Sequence, residues 1–286
     1  MIPASFEYYR AGSLSEAFDL IEKFGDEGKV LAGGHSLIPM LKLRFARYSA
    51  LIDIGRLEEL KYIKEENGII KIGALTTHRE VEKSPLIREK LPVLSLCASE
   101  IADVQVRNMG TIGGSIAHAD PSADYIPTIQ ALEATIVVKS KNGERSIPAD
   151  EFFVGTFSTA LEPNELIVEI QIPTFKPNEK GYYLKVAHPA TGFAIANCAV
   201  RLSVSGGTIE DARVALGGFV TVAYRDKRVE DFLKGKPVNM DTIQEASDMV
   251  AEDRDDIIGD YYADEEYRKN LAKAVFRKAM KGALGI

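Results

Sequence analysis

The chain has 286 residues, 45% of them hydrophobic and 27% charged, with a formal net charge of -7 and no low-complexity tract. That length accommodates two domains with separate cores, and the composition is that of a folded globular protein rather than a disordered one. The acidic balance and the missing Lys/Arg block argue against a nucleic-acid groove or an anionic membrane surface, leaving small molecules and proteins as partners.

Apolar residues recur at helical spacing from Leu14 to Phe24, with Ser13 in front as a cap. Lys29 to Ala32 reads as a short strand ending at Gly33-Gly34, Ser36 to Phe45 as a helix and Ala50 to Ile54 as a strand. The expected order is helix, strand, helix, strand, a small parallel α/β lobe over the first 55 or so residues. Leu60 to Ile63 and Ile69 to Ile72 flank Glu65-Glu66-Asn67-Gly68, whose Asn-Gly pair is a hairpin signal that brings in antiparallel pairing. Helices are expected at His78 to Glu82, Leu86 to Glu89 and Val93 to Ala102, then a glycine-rich loop from Asn108 to Asp124 and a helix to Ala134. Strands Thr135 to Lys139 and Leu166 to Ile172 close this second lobe, and the Pro/Lys/Asn-rich stretch at 173–180 is the candidate linker. Three strand-like runs follow, Tyr182 to Ala187, Phe193 to Ser205 and Ile209 to Leu216, with Gly206-Gly207 as a turn. Helices at Val229 to Leu233, Asp241 to Val250 and Asp264 to Leu284 make the C-terminal part α+β.

No apolar run approaches the roughly 20 residues of a membrane span, and Met1 to Glu7 lacks the blocks of a signal peptide, so a cytoplasmic location is expected. Cys97 and Cys198 stand alone, so the chain has too few cysteines for an iron–sulfur cluster or a cysteine zinc site, and both are expected to be buried packing residues.

Two segments carry chemistry. Ala32-Gly33-Gly34-His35-Ser36 lies where a strand stops and a helix starts, a place where backbone N–H groups meet a phosphate. Gly110-Thr111-Ile112-Gly113-Gly114-Ser115 is a second small-residue loop with two hydroxyls, and the pair is suited to gripping one diphosphate. Neither matches GxGxxG or a P-loop, and a tight turn explains either glycine pair taken singly. Read at full length, from Ala32 to Arg44 and from Gln105 to Asp124, the two segments closely resemble the FAD-binding medium subunits of the xanthine dehydrogenase and carbon monoxide dehydrogenase family. The resemblance extends over nearly the whole chain.

It implies an α+β protein. A two-lobed FAD-binding domain of the vanillyl-alcohol-oxidase/PCMH type would occupy residues 1–175, with lobes of about 1–55 and 56–175. A C-terminal domain at 176–286 would contain a three-stranded antiparallel sheet. It places Val30, Leu31, Ala32, Gly33, Gly34, His35, Ser36 and Leu37 along the pyrophosphate and flavin of a noncovalent FAD, with Thr111, Gly113, Gly114 and Ser115 opposite. Asp124 falls at the adenosine ribose, Lys185 near the flavin pyrimidine carbonyls, and Ile101 and Ile167 at apolar flavin or adenine contacts. A solvated strand lysine and ordinary core packing are the competing readings of Lys185 and of the two isoleucines. His35 is expected to touch the flavin without a covalent bond, and His118 and Asp120 to be local hydrogen-bonding groups rather than metal ligands.

The implied role is electron transfer in a heterotrimeric molybdenum hydroxylase. A molybdenum-cofactor large subunit and a small subunit with two [2Fe–2S] clusters would be the partners, and NAD, a quinone or a ferredoxin the external acceptor. The full complex would oxidise CO, an aldehyde or an N-heterocycle. A self-contained flavin oxidoreductase of the same fold is the alternative, and it requires a substrate acid or base facing the flavin, for which the sequence offers no candidate.

Overall fold

The computed structural model describes residues 1–286. Its first lobe runs β1 (Glu7–Arg10), α1 (Leu14–Phe24), β2 (Gly28–Leu31), α2 (Leu37–Leu43) and β3 (Ala50–Asp53). The strands are parallel in the order β1-β3-β2, with Ile52 registered against Tyr9 on one side and Val30 on the other. Helix α1 buries Ala17, Phe18 and Ile21 on one stripe, and the Ser13 side chain accepts from the Glu16 N–H as its cap. Strand β1 precedes the expected elements. Three of its four side chains are exposed at a sheet edge, so no buried alternation marks it in the sequence.

The second lobe opens with β4 (Ile63–Glu66) and β5 (Ile69–Gly73), joined at Asn67-Gly68, where φ is 53° and 76°, the positive pair that a two-residue hairpin turn demands. Six helices follow: α3 (His78–Lys83), α4 (Pro85–Lys90), α5 (Pro92–Glu100), α6 (Val104–Met109), α7 (Ile112–His118) and α8 (Tyr125–Ala131). Then come β6 (Thr135–Ser140), β7 (Gly143–Pro148), the short α9 (Ala149–Phe152), the small hairpin β8 (Phe153–Gly155) and β9 (Ser158–Thr159), and β10 (Leu166–Pro173). The antiparallel sheet has the order β4-β5-β10-β6-β7. Its alternation divides two cores. Ile72, Ile136, Val138 and Ile170 pack with the helices, whereas Val137, Leu166 and Val168 pack with Phe18, Ile21 and Ile52 of the first lobe.

The stretch expected as a glycine-rich loop from Asn108 to Asp124 is mostly helical. Asp103 caps α6 by accepting from the Val106 N–H, and Thr111 caps α7 by accepting from the Gly114 N–H at 3.1 Å. Gly113 stays in the helix because the chain presses against Ala74: a Cβ there would lie 2.6 Å from the Ala74 Cβ and 2.7 Å from its carbonyl oxygen. Tertiary contact therefore overrides the weak helix propensity of the glycines.

Beyond β10, the strands β11 (Glu179–Ala187), β12 (Ala194–Ser205), β13 (Thr208–Gly217) and β14 (Tyr224–Arg225) form a meander. The sheet has four strands rather than the expected three, because Tyr224 and Arg225 pair with Leu216 and Ala215. Two residues are too few to show a period. Helices α10 (Lys227–Leu233), α11 (Met240–Met249) and α12 (Glu265–Leu284) cover one face, where Cys198, Val200 and Leu202 meet Phe276 and Met280. The opposite face, with Tyr183, Ala199 and Ala215, joins the core built on α5 and α8. Cys97 and Cys198 are both buried and free. No helix is long and apolar enough to cross a membrane.

Polar contacts also tie the C-terminal sheet to the second lobe. Glu133, just after α8, receives Arg213 at 2.7 Å, Arg201 at 3.1 Å and Arg225 at 3.5 Å, and Arg225 also reaches Asp150 at 3.1 Å. Glu133→Gln keeps the shape but removes the charge that three partly buried guanidinium groups share. It should lower stability by about 1–2 kcal/mol in low salt, and less in high salt. Urea unfolding at the two salt concentrations checks this; a salt-independent loss would show that the charge is not what matters.

Candidate functional site

The parallel sheet of the first lobe delivers the first glycine segment at the carboxyl end of β2, where open α/β sheets place ligands. Val30 and Leu31 are half-buried and held in register against Ile52 and Asp53. From Gly33 to Leu37 the backbone N–H groups make no hydrogen bond within the chain, and the first helical bond, from the Ile38 N–H to the Gly34 carbonyl, comes one residue later. Ser36 caps α2 by position only, without a side-chain hydrogen bond. A run of unengaged donors beside a hydroxyl fits an anionic diphosphate.

His35 is exposed, with Nδ1 2.8 Å from the Gly33 carbonyl oxygen. A carbonyl only accepts, so Nδ1 carries a proton and donates to it, leaving Nε2 directed away from the backbone.

The second segment is in direct contact with the first. A Cβ on Gly33 would fall 2.1 Å from the Met109 carbonyl oxygen and 2.8 Å from the Gly110 Cα, and one on Gly114 would come within 4.0 Å of the Ala32 Cβ. Gly114 is exposed and Ser115 half-exposed on α7. The donors of this segment, however, are mostly committed. The N–H groups of Ile112 and Gly113 bond to the carbonyls of Thr76 and Ala74, and that of Gly114 to the buried Thr111 hydroxyl. The first segment therefore supplies free N–H groups, and the second supplies a close, side-chain-free wall.

His78 underlies that wall. A Cβ on Gly110 would lie 2.6 Å from its Nε2, its Nδ1 is buried without a partner, and burial, together with the charges of His35 and Arg107, lowers its pKa to about 4. Because the folded pKa lies below the unfolded one, the unfolded chain binds the extra proton between pH 6.5 and 4. Stability should fall by about 3 kcal/mol on acidification through that window, and His78→Gln should flatten the fall. Unfolding midpoints across the window test this; parallel curves for both proteins would refute it.

Asp124 and Lys185 are paired with each other. The ammonium lies 3.0 and 3.2 Å from the two carboxylate oxygens and also donates to the Gly192 carbonyl at 3.0 Å. Their side chains are only 7% and 4% exposed. The Tyr183 hydroxyl donates to Asp124, and Asn197 donates to Tyr183 and to the Ala123 carbonyl. Burial raises the Asp124 pKa against the opposing pull of Lys185. Lys185 is thus not a solvated strand lysine.

Ile101 is half-buried at the end of α5, and its neighbour Ala102 lies 4.0 Å from where a Cβ on Gly192 would be. Ile167 lies in the second-lobe core, registered against Val138, so packing accounts for it. The ring of His118 rests on Phe157, and that of His188 on Tyr262. Sequence reasoning missed Tyr183 and Asn197. Their signal was weak: a phenol and an amide alternating inward along β11 and β12 amid apolar neighbours.

Two lobes whose glycine segments touch, one offering free N–H groups and the other a bare wall, define a dinucleotide-binding flavoprotein architecture. A family model described as the FAD binding domain in molybdopterin dehydrogenase matches residues 4–175, and one described as the CO dehydrogenase flavoprotein C-terminal domain matches residues 182–283. The chain is 41% identical over 286 residues to the carbon monoxide dehydrogenase medium chain of Hydrogenophaga pseudoflava, covering 99% of this chain and 98% of that one. It is 38% identical to the glyceraldehyde dehydrogenase medium chain of Sulfolobus acidocaldarius, covering 98% and 99%. A solved structure of the Hydrogenophaga pseudoflava carbon monoxide dehydrogenase superposes with a TM-score of 0.96, over 100% of this chain and 99% of that one, at 41% identity. The chain belongs to the family of FAD-binding medium subunits of molybdenum hydroxylases.

Proposed function

We propose that this chain is the electron-transfer subunit of a heterotrimeric molybdenum hydroxylase, taking electrons from [2Fe–2S] clusters of a small partner subunit and handing them to an external acceptor. A large molybdenum-cofactor subunit carries out the substrate oxidation, whether of CO, an aldehyde or an N-heterocycle. The observation that carries the reading is the contact of Gly33 with Met109 and Gly110, which joins two separate segments into one cradle. Residues 1–175 form the FAD-binding domain and 176–286 the C-terminal domain, with the complex in the cytoplasm. NAD, a quinone and a ferredoxin are the candidate acceptors.

When bound, FAD supplies the ability to accept electrons singly and release them in pairs. The N–H groups of Gly33 to Leu37, with the Ser36 hydroxyl, hold the diphosphate. Val30, Leu31 and Ala32 line the approach to the flavin, and the His35 ring makes a noncovalent contact there. Thr111, Gly113, Gly114 and Ser115 form the facing wall. Lys185 and Ile101 border the flavin, and Asp124, bonded to Lys185, lies with them rather than at a separate adenosine ribose; Ile167 packs in the second-lobe core. A lysine at that border favours negative charge on the flavin pyrimidine, and its bond to Asp124 fixes where the ammonium sits.

Gly114→Asp tests the cradle. The substitution puts a Cβ 2.7 Å from the Thr111 hydroxyl and 4.0 Å from the Ala32 Cβ and sets a carboxylate against the diphosphate, so the purified variant should lack the visible flavin absorption band, whereas Gly114→Asn, with the same steric load and no charge, should keep more of it. Wild-type flavin content in the Gly114→Asp variant would remove the site from consideration.

A further inference from the structure

Arg107 sits on α6 in the segment preceding Gly110, with a largely buried side chain that reaches three acceptors. Its Nε donates to the Glu82 carboxylate at 3.0 Å, and its Nη1 to the carbonyls of Ile101 and Ala102 at 2.9 and 3.0 Å. Those carbonyls form the bend between α5 and α6. Ala102 has a φ of +40°, a conformation that a residue with a Cβ holds only when its surroundings impose it. Opposite the bend is the 188–193 turn: a Cβ on Gly192 would touch the Ala102 Cα at 4.0 Å. That turn is gripped from its own side by Lys185, which bonds to the Gly192 carbonyl. Two facing backbone bends are thus each fixed by a cation, one anchored on Asp124 and the other on Glu82.

Glu82 is a firm anchor. It is buried, meets Arg79 and Lys83 as well as Arg107, and its own carbonyl accepts from Ser95 and Arg88. A planar guanidinium satisfies a carboxylate and two carbonyls together because its donors diverge in one plane; an ammonium has a single donor centre.

We propose that Arg107 is a positioning residue for the cofactor cleft, holding the Ile101–Ala102 bend against the 188–193 turn so that Ile101 keeps its place beside the flavin. The proposal rests on the FAD reading above. Arg107 does not touch the cofactor; it acts through the backbone of Ile101 and Ala102.

The test measures FAD affinity by flavin fluorescence on the deflavinated full chain, in the assembly in which it purifies, together with the visible circular dichroism of the bound flavin. Arg107→Gln should weaken FAD binding about tenfold and alter the flavin dichroism, and Arg107→Lys should restore neither, because charge alone does not reproduce three divergent bonds. Arg201→Gln is the control, since Arg201 is similarly buried and bonds to two glutamates but lies on the C-terminal sheet. Its FAD affinity should match the wild type even where its melting temperature falls. Equal FAD binding by wild type and Arg107→Gln, full rescue by lysine, or equal weakening in Arg201→Gln would each overturn the positioning role. A wild-type chain that takes up no FAD would instead overturn the reading beneath it, and the proposal with it. Should Arg107→Gln fail to fold, Glu82→Gln loosens the same clamp from its anchor and gives the same comparison.

Discussion

Gly33→Ala should strip the protein of FAD and destabilise it by about 2–3 kcal/mol. The added methyl would sit 2.1 Å from the Met109 carbonyl oxygen and 2.8 Å from the Gly110 Cα, and both obstacles are backbone. No side chain can rotate away, so the two segments must separate. The Gly110 carbonyl accepts from the His78 N–H, and the Gly110 N–H donates to Val106, so shifting one segment strains the start of α3 and the end of α6. Gly12→Ala is the control. Its added Cβ would meet only the flexible Glu16 carboxylate at 3.3 Å, so flavin content and thermal midpoint should stay close to wild type. Measured flavin-to-protein ratios and urea unfolding decide the matter; a Gly33→Ala protein with a full complement of FAD would show that the contact between the loops is not the basis of the site.

Much of this architecture was legible because it rests on local patterns. The stripe of α1, its Ser13 cap and the Asn67-Gly68 turn are written in adjacent residues and stand where the pattern puts them, although the strand before the turn is Ile63–Glu66 rather than Leu60 to Ile63. Strand β1 and strand β14 were not legible. The first has exposed polar and phenolic side chains, and the second has two residues; each is defined by its partner strand. The helical state of Gly113 and Gly114 was hidden for a related reason: what holds Gly113 is its contact with Ala74, a residue distant in sequence. Glycine in a loop and glycine at a close helix–strand crossing look alike until the crossing is known. The two glycine segments could be read as a pair only through family resemblance, since nothing local says that Gly33 and Met109 meet. The pairing of Asp124 with Lys185 was equally invisible, because opposite charges 61 positions apart carry no periodic signal. A carboxylate expected at the adenosine ribose and a lysine expected at the flavin cannot act separately when the two are bonded to each other.

That coupling makes Lys185→Met the second substitution of large effect. Removing the ammonium leaves Asp124 buried, with Tyr183 as its remaining donor, and breaking one side of a buried pair costs about 3–5 kcal/mol at neutral pH. The penalty should depend on pH in a definite direction. Burial already places the Asp124 pKa above its unfolded value, and losing the lysine raises it further. Between the unfolded and folded values the native state holds the extra proton. The group's contribution to stability is therefore most favourable below the unfolded pKa and declines as pH rises through the folded one. Lys185→Met should consequently be closest to wild type in mild acid and fall furthest behind at neutral and alkaline pH. Asp124→Asn in the same background should recover much of the loss at pH 7, because a neutral amide removes the unpaired charge while still bonding to Tyr183. Thermal unfolding of the wild type, the two single variants and the double variant at several pH values provides the full cycle. A Lys185→Met deficit that is the same in acid and alkali, or that persists unchanged in the double variant, would mean that Asp124 is not the group the lysine neutralises.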